Sequence, residues 1–291
     1  SAQGWLRNDL AEAMSALTPA ERDRLDFWHD AGIRDFFNAA LSANRGFSQL
    51  LNLFDRTGRV FTSFNAVAQS PAGQPYDFGL VDWAQVGRNV YVRYGDPDAT
   101  EAQILNGDGR HVGTVLQIVA RVTTAFAWIN AHWPGGDRED EYASGQLFED
   151  LSFETTLGRE TPFALFLPPG YDNPANANVR YPVVVFLHGY GQQPKDMVAL
   201  SAVFESYMQP TGLTKAQRFQ KFIIVYADGR CRPQRDGVPV SLEGDLCESG
   251  NFFMNLAIGG PGQMEDAMLE LLDYLDANYR TKLPEDVTFT P

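Results

Sequence analysis

The most informative chemistry in the chain lies at residues 186–192, which read Phe-Leu-His-Gly-Tyr-Gly-Gln. They close an apolar run beginning at Tyr181, and glycines at 189 and 191 flank Tyr190. A buried strand that ends this way delivers its loop to the C-terminal edge of a sheet, where open α/β sheets bind ligands. Glycines let the backbone turn so that N–H groups point into a cleft rather than into a ladder. Donors fixed like that stabilise an oxyanion during acyl transfer. The candidate loop residues are His188, Gly189, Tyr190 and Gly191. The plainer alternative is an ordinary strand-to-helix turn, with the His188 ring bonded to backbone.

Other reactive groupings are weaker. Asp96, Asp98 and Glu101, with Asp108 and His111 nearby, offer oxygen and nitrogen donors to a cation. Their spacing fits no EF-hand loop, and Asp98 could equally cap a helix, so no metal and no cofactor is assigned. Asn251, Phe252 and Phe253 belong to a loop expected to hang over the strand ends and line a substrate cleft. Trp128 reads as core. Cys231 and Cys247 sit in one Gly/Pro-rich stretch, either as free thiols or as a disulfide. A bridge closing about 15 residues would contribute roughly 3 kcal/mol, and it would place the protein in a secreted or periplasmic setting.

The elements that position these residues are clearest after residue 148. Leu151 to Leu157 and Thr161 to Leu167 alternate around a Gly158 turn, a hairpin signature. Tyr181 to Leu187 and Phe222 to Tyr226 are continuous apolar runs, as expected of parallel strands covered on both faces. Between them Met197, Leu200, Phe204 and Met208 fall on one helix face. A second helix runs from Pro261 to about Tyr279 on a stripe of Met264, Met268, Leu271 and Leu275, and Val287 begins another strand. Hairpin, strand, helix, strand, helix, strand describes an α/β sheet with right-handed crossovers.

Residues 1–140 form a helix-rich domain of unassigned fold. Thr18-Pro19-Ala20-Glu21 is a capping box. Helical patterns cover Ile33 to Leu41, Phe47 to Phe54 and Val112 to His132, with short strands at Arg59 to Phe64 and Asn89 to Arg93. Glycines and charges at 134–145 mark the boundary, and Asp137, Glu139, Asp140 and Glu141 read as a solvated linker.

Composition narrows the function classes. The 291 residues are 44% hydrophobic, enough for a sizeable core, and 37 acidic against 23 basic residues give a net charge of −14. That balance repels nucleic-acid backbones and anionic lipid. No membrane span is expected: Val112 to Gly136 carries Arg121 at its centre, which costs roughly 2.5–3.5 kcal/mol on insertion.

The ordered segments Pro168-Pro169-Gly170-Tyr171, Tyr181-Pro182, FLHGYG at 186–191, Ala227-Asp228-Gly229, 249–255, Met264-Glu265-Asp266 and LLDYLDANYR at 271–280 resemble the esterase D-like branch of the α/β-hydrolase superfamily. That branch includes feruloyl esterases, polyhydroxyalkanoate depolymerase-like enzymes and mycolyltransferases. The resemblance covers about 151–291. It implies that residues 148–291 are the N-terminal portion of an α/β-hydrolase sheet, with the N–H of Tyr190 or its neighbour lining an oxyanion hole and His188 shaping the loop. It also implies a small-molecule or polymer ester as substrate.

The same resemblance calls for a Gly-x-Ser-x-Gly elbow just after the strand at Val287. None of the chain's serines has glycine two residues before and two after, and the four histidines all precede that point. No catalytic nucleophile–base pair is therefore assigned within the chain, and the triad is expected beyond Pro291, on a complementary segment or chain. The competing expectation is a non-catalytic binding or assembly protein built on an incomplete hydrolase frame.

Overall fold

The computed structural model describes residues 14–36, 39–71, 76–132, 143–158, 160–230, 253 and 264–283. The chain divides into two compact units, 1–134 and 135–288.

The first unit is built on a parallel sheet. Strands β1 (Phe27–Gly32), β2 (Arg59–Phe61) and β3 (Asn89–Tyr94) align in the order β1-β3-β2, so β3 is paired on both sides. Its Val90, Tyr91 and Val92 are fully buried, as a strand covered on both faces requires. Helix α1 (Ala39–Phe54) carries the chain from β1 to β2 and packs Phe47 with Ala31 and Tyr91. Helix α2 (Val115–His132) buries Phe126, Ala127 and Trp128, and the Trp128 indole N–H donates to the Gly87 carbonyl at 2.8 Å.

This architecture corrects the helix-rich reading in two places. Residues 27–32, FWHDAG, have no period-two alternation, and their strand character comes from pairing with β3 rather than from pattern. The expected helix from Ile33 to Leu41 does not form across its first part. Ile33, Arg34 and Phe36 lie in turns, and one continuous helix begins at Ala39 and runs through Gly46 to Phe54. Thr18 and Glu21 form a capping box, whereas the helix Glu101–Leu105 is capped by Thr100 and Gln103 rather than by Asp98.

The second unit holds strands β4 (Gln146–Glu154), β5 (Glu160–Leu167), β6 (Val183–Leu187) and β7 (Ile223–Ala227) in the order β4-β5-β7-β6. β4, β5 and β7 pair antiparallel in turn, and β6 runs parallel to β7. The interior β7 is buried along its whole length. Helix α3 (Leu200–Met208) joins β6 to β7, burying Phe204 and Met208. Helix α4 (Met264–Asn278) sets Leu271 and Leu275 into a core with Phe163, Leu165, Tyr181 and Val225.

After α4 the chain returns to the head of β6. Thr281 bridges Tyr181 in parallel; the Tyr181 N–H donates to the Arg280 carbonyl at 2.7 Å, and the Lys282 N–H donates to the Tyr181 carbonyl at 2.8 Å. The neighbouring Pro182 carbonyl accepts from Ile223 of β7, so Arg280 and Lys282 approach from the opposite side. Along β6 itself Val183 to Phe186 are only half-buried and Leu187 is 51% exposed. Among the described residues no helix is long and apolar enough to cross a membrane.

Candidate active site

Because β6 and β7 are parallel with Leu187 opposite Ala227, the residues that follow, His188 and Asp228, emerge side by side at the sheet's C-terminal edge. The His188 side chain is only 2% exposed, and both ring nitrogens are engaged by backbone. Nδ1 donates to the Gly189 carbonyl at 2.8 Å, and Nε2 accepts from the Gly229 N–H at 2.9 Å. These partners fix the Nδ1–H tautomer. The ring thus ties the loop after β6 to the loop after β7.

Asp228 is fully buried beside it, with Oδ1 3.6 Å from His188 Nε2, outside hydrogen-bond reach. Its oxygens are held by Arg230. The backbone N–H donates at 3.0 Å and Nε at 2.8 Å to Oδ1, and Nη2 donates at 2.6 Å to Oδ2. Burial alone would push this carboxyl up. The Arg230 hydrogen bonds and charge outweigh it and hold the carboxyl well below the usual carboxylate range.

Phe253 closes the arrangement. Its ring meets His188 edge-on at 5.1 Å and lies over Gly229, where a Cβ would come within 2.7–2.9 Å of the ring carbons. Cys231, Cys247, Asn251 and Phe252 lie outside the described residues, as does the expected disulfide; of the expected cleft loop only Phe253 is described.

In the candidate oxyanion loop, the Gly189 N–H donates to Gln192 Oε1 at 2.8 Å and the Gln192 N–H returns to the Gly189 carbonyl at 3.0 Å. That corrects one expectation: the Gly189 amide is consumed inside the turn and does not face a ligand. Gly191 adopts φ +78°, which favours glycine, and its N–H makes no hydrogen bond among the described residues. Tyr190 beside it is exposed. A polar cleft of about 570 Å³ opens alongside, between the β4–β5 hairpin and the loop after β6, lined by Asp150, Ser152, Glu160, Gln193, Lys195 and Arg230 among others.

In the first unit the weak cation candidates do not converge. The Asp98 N–H bonds Asp96 Oδ1, the Asp96 N–H bonds Asp108 Oδ2, and His111 pairs with Asp35. Among the described residues no three His, Cys, Asp or Glu side chains are placed to hold a metal. Three participants were missed in the sequence: Asp35, Gln192 and the Asp228–Arg230 fork. Only the fork had a local signal, an acid and a base two residues apart at a strand end.

No family model and no curated protein matches the chain. Among the solved structures similar to part of it are two hydrolases. One is a ferulic acid esterase, 17% identical over 48% of this chain and 46% of its own, with a TM-score of 0.33. The other is an S-formylglutathione hydrolase from Agrobacterium tumefaciens, 19% identical over 47% of this chain and 45% of its own, with a TM-score of 0.32. The chain spans less than half the length of either structure.

Proposed function

We propose that the second unit is the leading part of a serine-esterase-type α/β-hydrolase domain, which hydrolyses carboxylic esters or passes their acyl group to another acceptor. One observation carries this reading: the loop 188–191, at the C-terminal end of β6, is pinned through His188 to Gly229 at the end of β7. In such a reaction a serine attacks the ester carbonyl and a histidine takes its proton. The oxyanion accepts from N–H groups of Tyr190 and Gly191, and the alcohol leaves with the proton. Each donor of that kind is worth about 2.7–4 kcal/mol of transition-state stabilisation.

His188 is not the proton carrier, because both its nitrogens are committed to backbone. The nucleophile and its His–Asp/Glu partners belong in this reading to a segment or chain beyond Pro291. The half-buried β6, with Thr281 already alongside Tyr181, supports a further strand arriving there. A secreted or periplasmic location is part of the proposal and rests on a Cys231–Cys247 bridge.

The test is fluorophosphonate labelling of the protein together with every co-purifying polypeptide, read by intact mass. The expected result is one labelled serine on a polypeptide that continues or complements this chain. No labelled serine in any species would overturn the reading in favour of a binding protein.

A further inference from the structure

The first unit has a cleft of about 530 Å³ at the leading ends of β2 and β3. It opens between residues 56–59, which run into β2, and residues 84–89, which run into β3. Its lining carries three arginines, Arg56, Arg59 and Arg88, and no carboxylate, in a chain whose acidic residues outnumber the basic ones 37 to 23. A cleft lined by one sign of charge focuses its field and draws ions of the other sign.

The three guanidiniums are committed to different degrees. Arg88 is paired: Nε meets Asp26 Oδ1 at 2.5 Å, and Nη2 donates to the Asp23 carbonyl at 2.6 Å. Arg56 is held mainly by carbonyls, Nη1 donating to Leu25 at 2.5 Å and Nη2 to Arg22 at 2.9 Å, while the Asp23 carboxylate stands 3.5 Å off and largely in solvent. Carbonyls fix a guanidinium without cancelling its charge. Arg59, exposed at the start of β2, makes no hydrogen bond or ion pair among the described residues. Asn89 adds a demand of another kind, being 5% exposed and part of the same lining. Its side-chain NH2 donates to the Thr57 carbonyl at 3.0 Å, but its buried Oδ1 has no hydrogen-bond partner among the described residues. Buried acceptors are nearly always matched by a donor, so a molecule seated against Asn89 gains by bringing an O–H or N–H.

We propose that this cleft binds a phosphorylated sugar, with the phosphate on the guanidiniums of Arg59 and Arg56 and a sugar hydroxyl donating to Asn89 Oδ1. Guanidinium forks take phosphate oxygens two at a time, and a phosphate monoester carries more charge to meet two arginines than a carboxylate does. The remaining wall is polar or small, with Thr57, Gly58, Ala84, Gln85 and Gly87, and it offers no aromatic ring for a flat ligand to stack on. Hydroxyls suit such a wall, and the volume lies in the range of about 300–1,000 Å³ usual for small-molecule sites.

The test is isothermal titration calorimetry of the whole protein with glucose 6-phosphate, inorganic phosphate and glucose at low ionic strength. Glucose 6-phosphate should bind saturably, inorganic phosphate at least about tenfold more weakly, and glucose not measurably. Arg59→Gln should weaken glucose 6-phosphate at least about tenfold; Arg59→Lys should weaken it less, because the charge stays while the fork is lost. Arg59 is exposed, so both variants should melt with the parent, which separates lost binding from a lost fold. The proposal is overturned if glucose 6-phosphate shows no saturable binding up to about 10 mM, if inorganic phosphate binds as tightly, or if Arg59→Gln binds like the parent.

Discussion

Both units place an aspartate and a histidine at the C-terminal edge of parallel strands, yet they use them in opposite ways. In the second unit the two residues directly follow β6 and β7, and the ring is sealed: Nδ1 and Nε2 both bond backbone, and Asp228 turns to Arg230 instead. In the first unit the carboxylate is sealed and the ring faces outward, with Asp35 on Nδ1 and half the imidazole in solvent. The pairing of residue types therefore does not define the role. What decides it is where the two ring nitrogens are spent. A ring with both nitrogens on backbone is a strut between loops, and a ring with a carboxylate on Nδ1 is held by a side chain instead.

The carboxylates give the largest test of that difference. Asp228→Ala removes one half of a buried ion pair and leaves the Arg230 guanidinium and N–H without their acceptor, an expected loss of about 3–5 kcal/mol in urea unfolding. Asp35→Ala should cost about 1–2 kcal/mol, because its partner already reaches water. Equal losses would break the comparison. The pH dependence should follow the same side. Because the Asp228 carboxyl is held below its ordinary value of 3.8, the unfolded chain binds the proton first as pH falls. The stability it contributes is fully present above pH 3.8 and is lost progressively as pH falls below that. An acid-unfolding profile should show that loss in the parent and a shallower one in Asp228→Asn.

The imidazoles come next. His188→Ala leaves the Gly189 carbonyl and the Gly229 N–H without their partner and opens a void against Phe253. The expected cost is about 2–4 kcal/mol. His111→Ala should change stability by only about 0.5 kcal/mol. Thermal unfolding followed by circular dichroism checks both, and a large loss for His111→Ala would make that ring a strut as well.

How far each region was legible in the sequence follows from the range of its interactions. β7 announces itself as an apolar run because burial on both faces writes a continuous pattern; β6 carries the same kind of run although it is only half-buried, and β5 shows as the alternation of a hairpin. β1 has no such pattern; Trp28, His29 and Asp30 are half-buried, and only pairing with β3 extends them. The glycine loop after β6 was visible as composition. That Gln192 would take the Gly189 amide depends on a side chain curling back three residues, which several turns permit. The His111–Asp35 contact joins residues 76 apart, so it had no local trace, and the spacing of His111 to Asp96 and Asp98 pointed to the wrong partners. Asp228 and Arg230 are local, but their place beside His188 needs the register Leu187 to Ala227.

The last comparison concerns two glycines, one in each unit, whose surroundings differ as the two histidines do. Gly229 lies under Phe253, and a methyl group there would meet the ring at 2.7–2.9 Å. The ring cannot retreat freely, because it also packs edge-on against His188 and into the core that contains Leu271 and Leu275. Gly229→Ala should therefore cost about 1–3 kcal/mol and loosen the very joint that ties the two loops. Gly46 stands in the interior of α1 with nothing near the place a Cβ would occupy. There a methyl group meets no neighbour, and alanine restricts the unfolded chain while favouring the helix. Gly46→Ala should raise stability by about 0.5–1 kcal/mol, read as a higher urea midpoint at an unchanged slope. If the two substitutions shifted the midpoint in the same direction, the packing of Phe253 onto Gly229 would not be what holds the second unit's loops together.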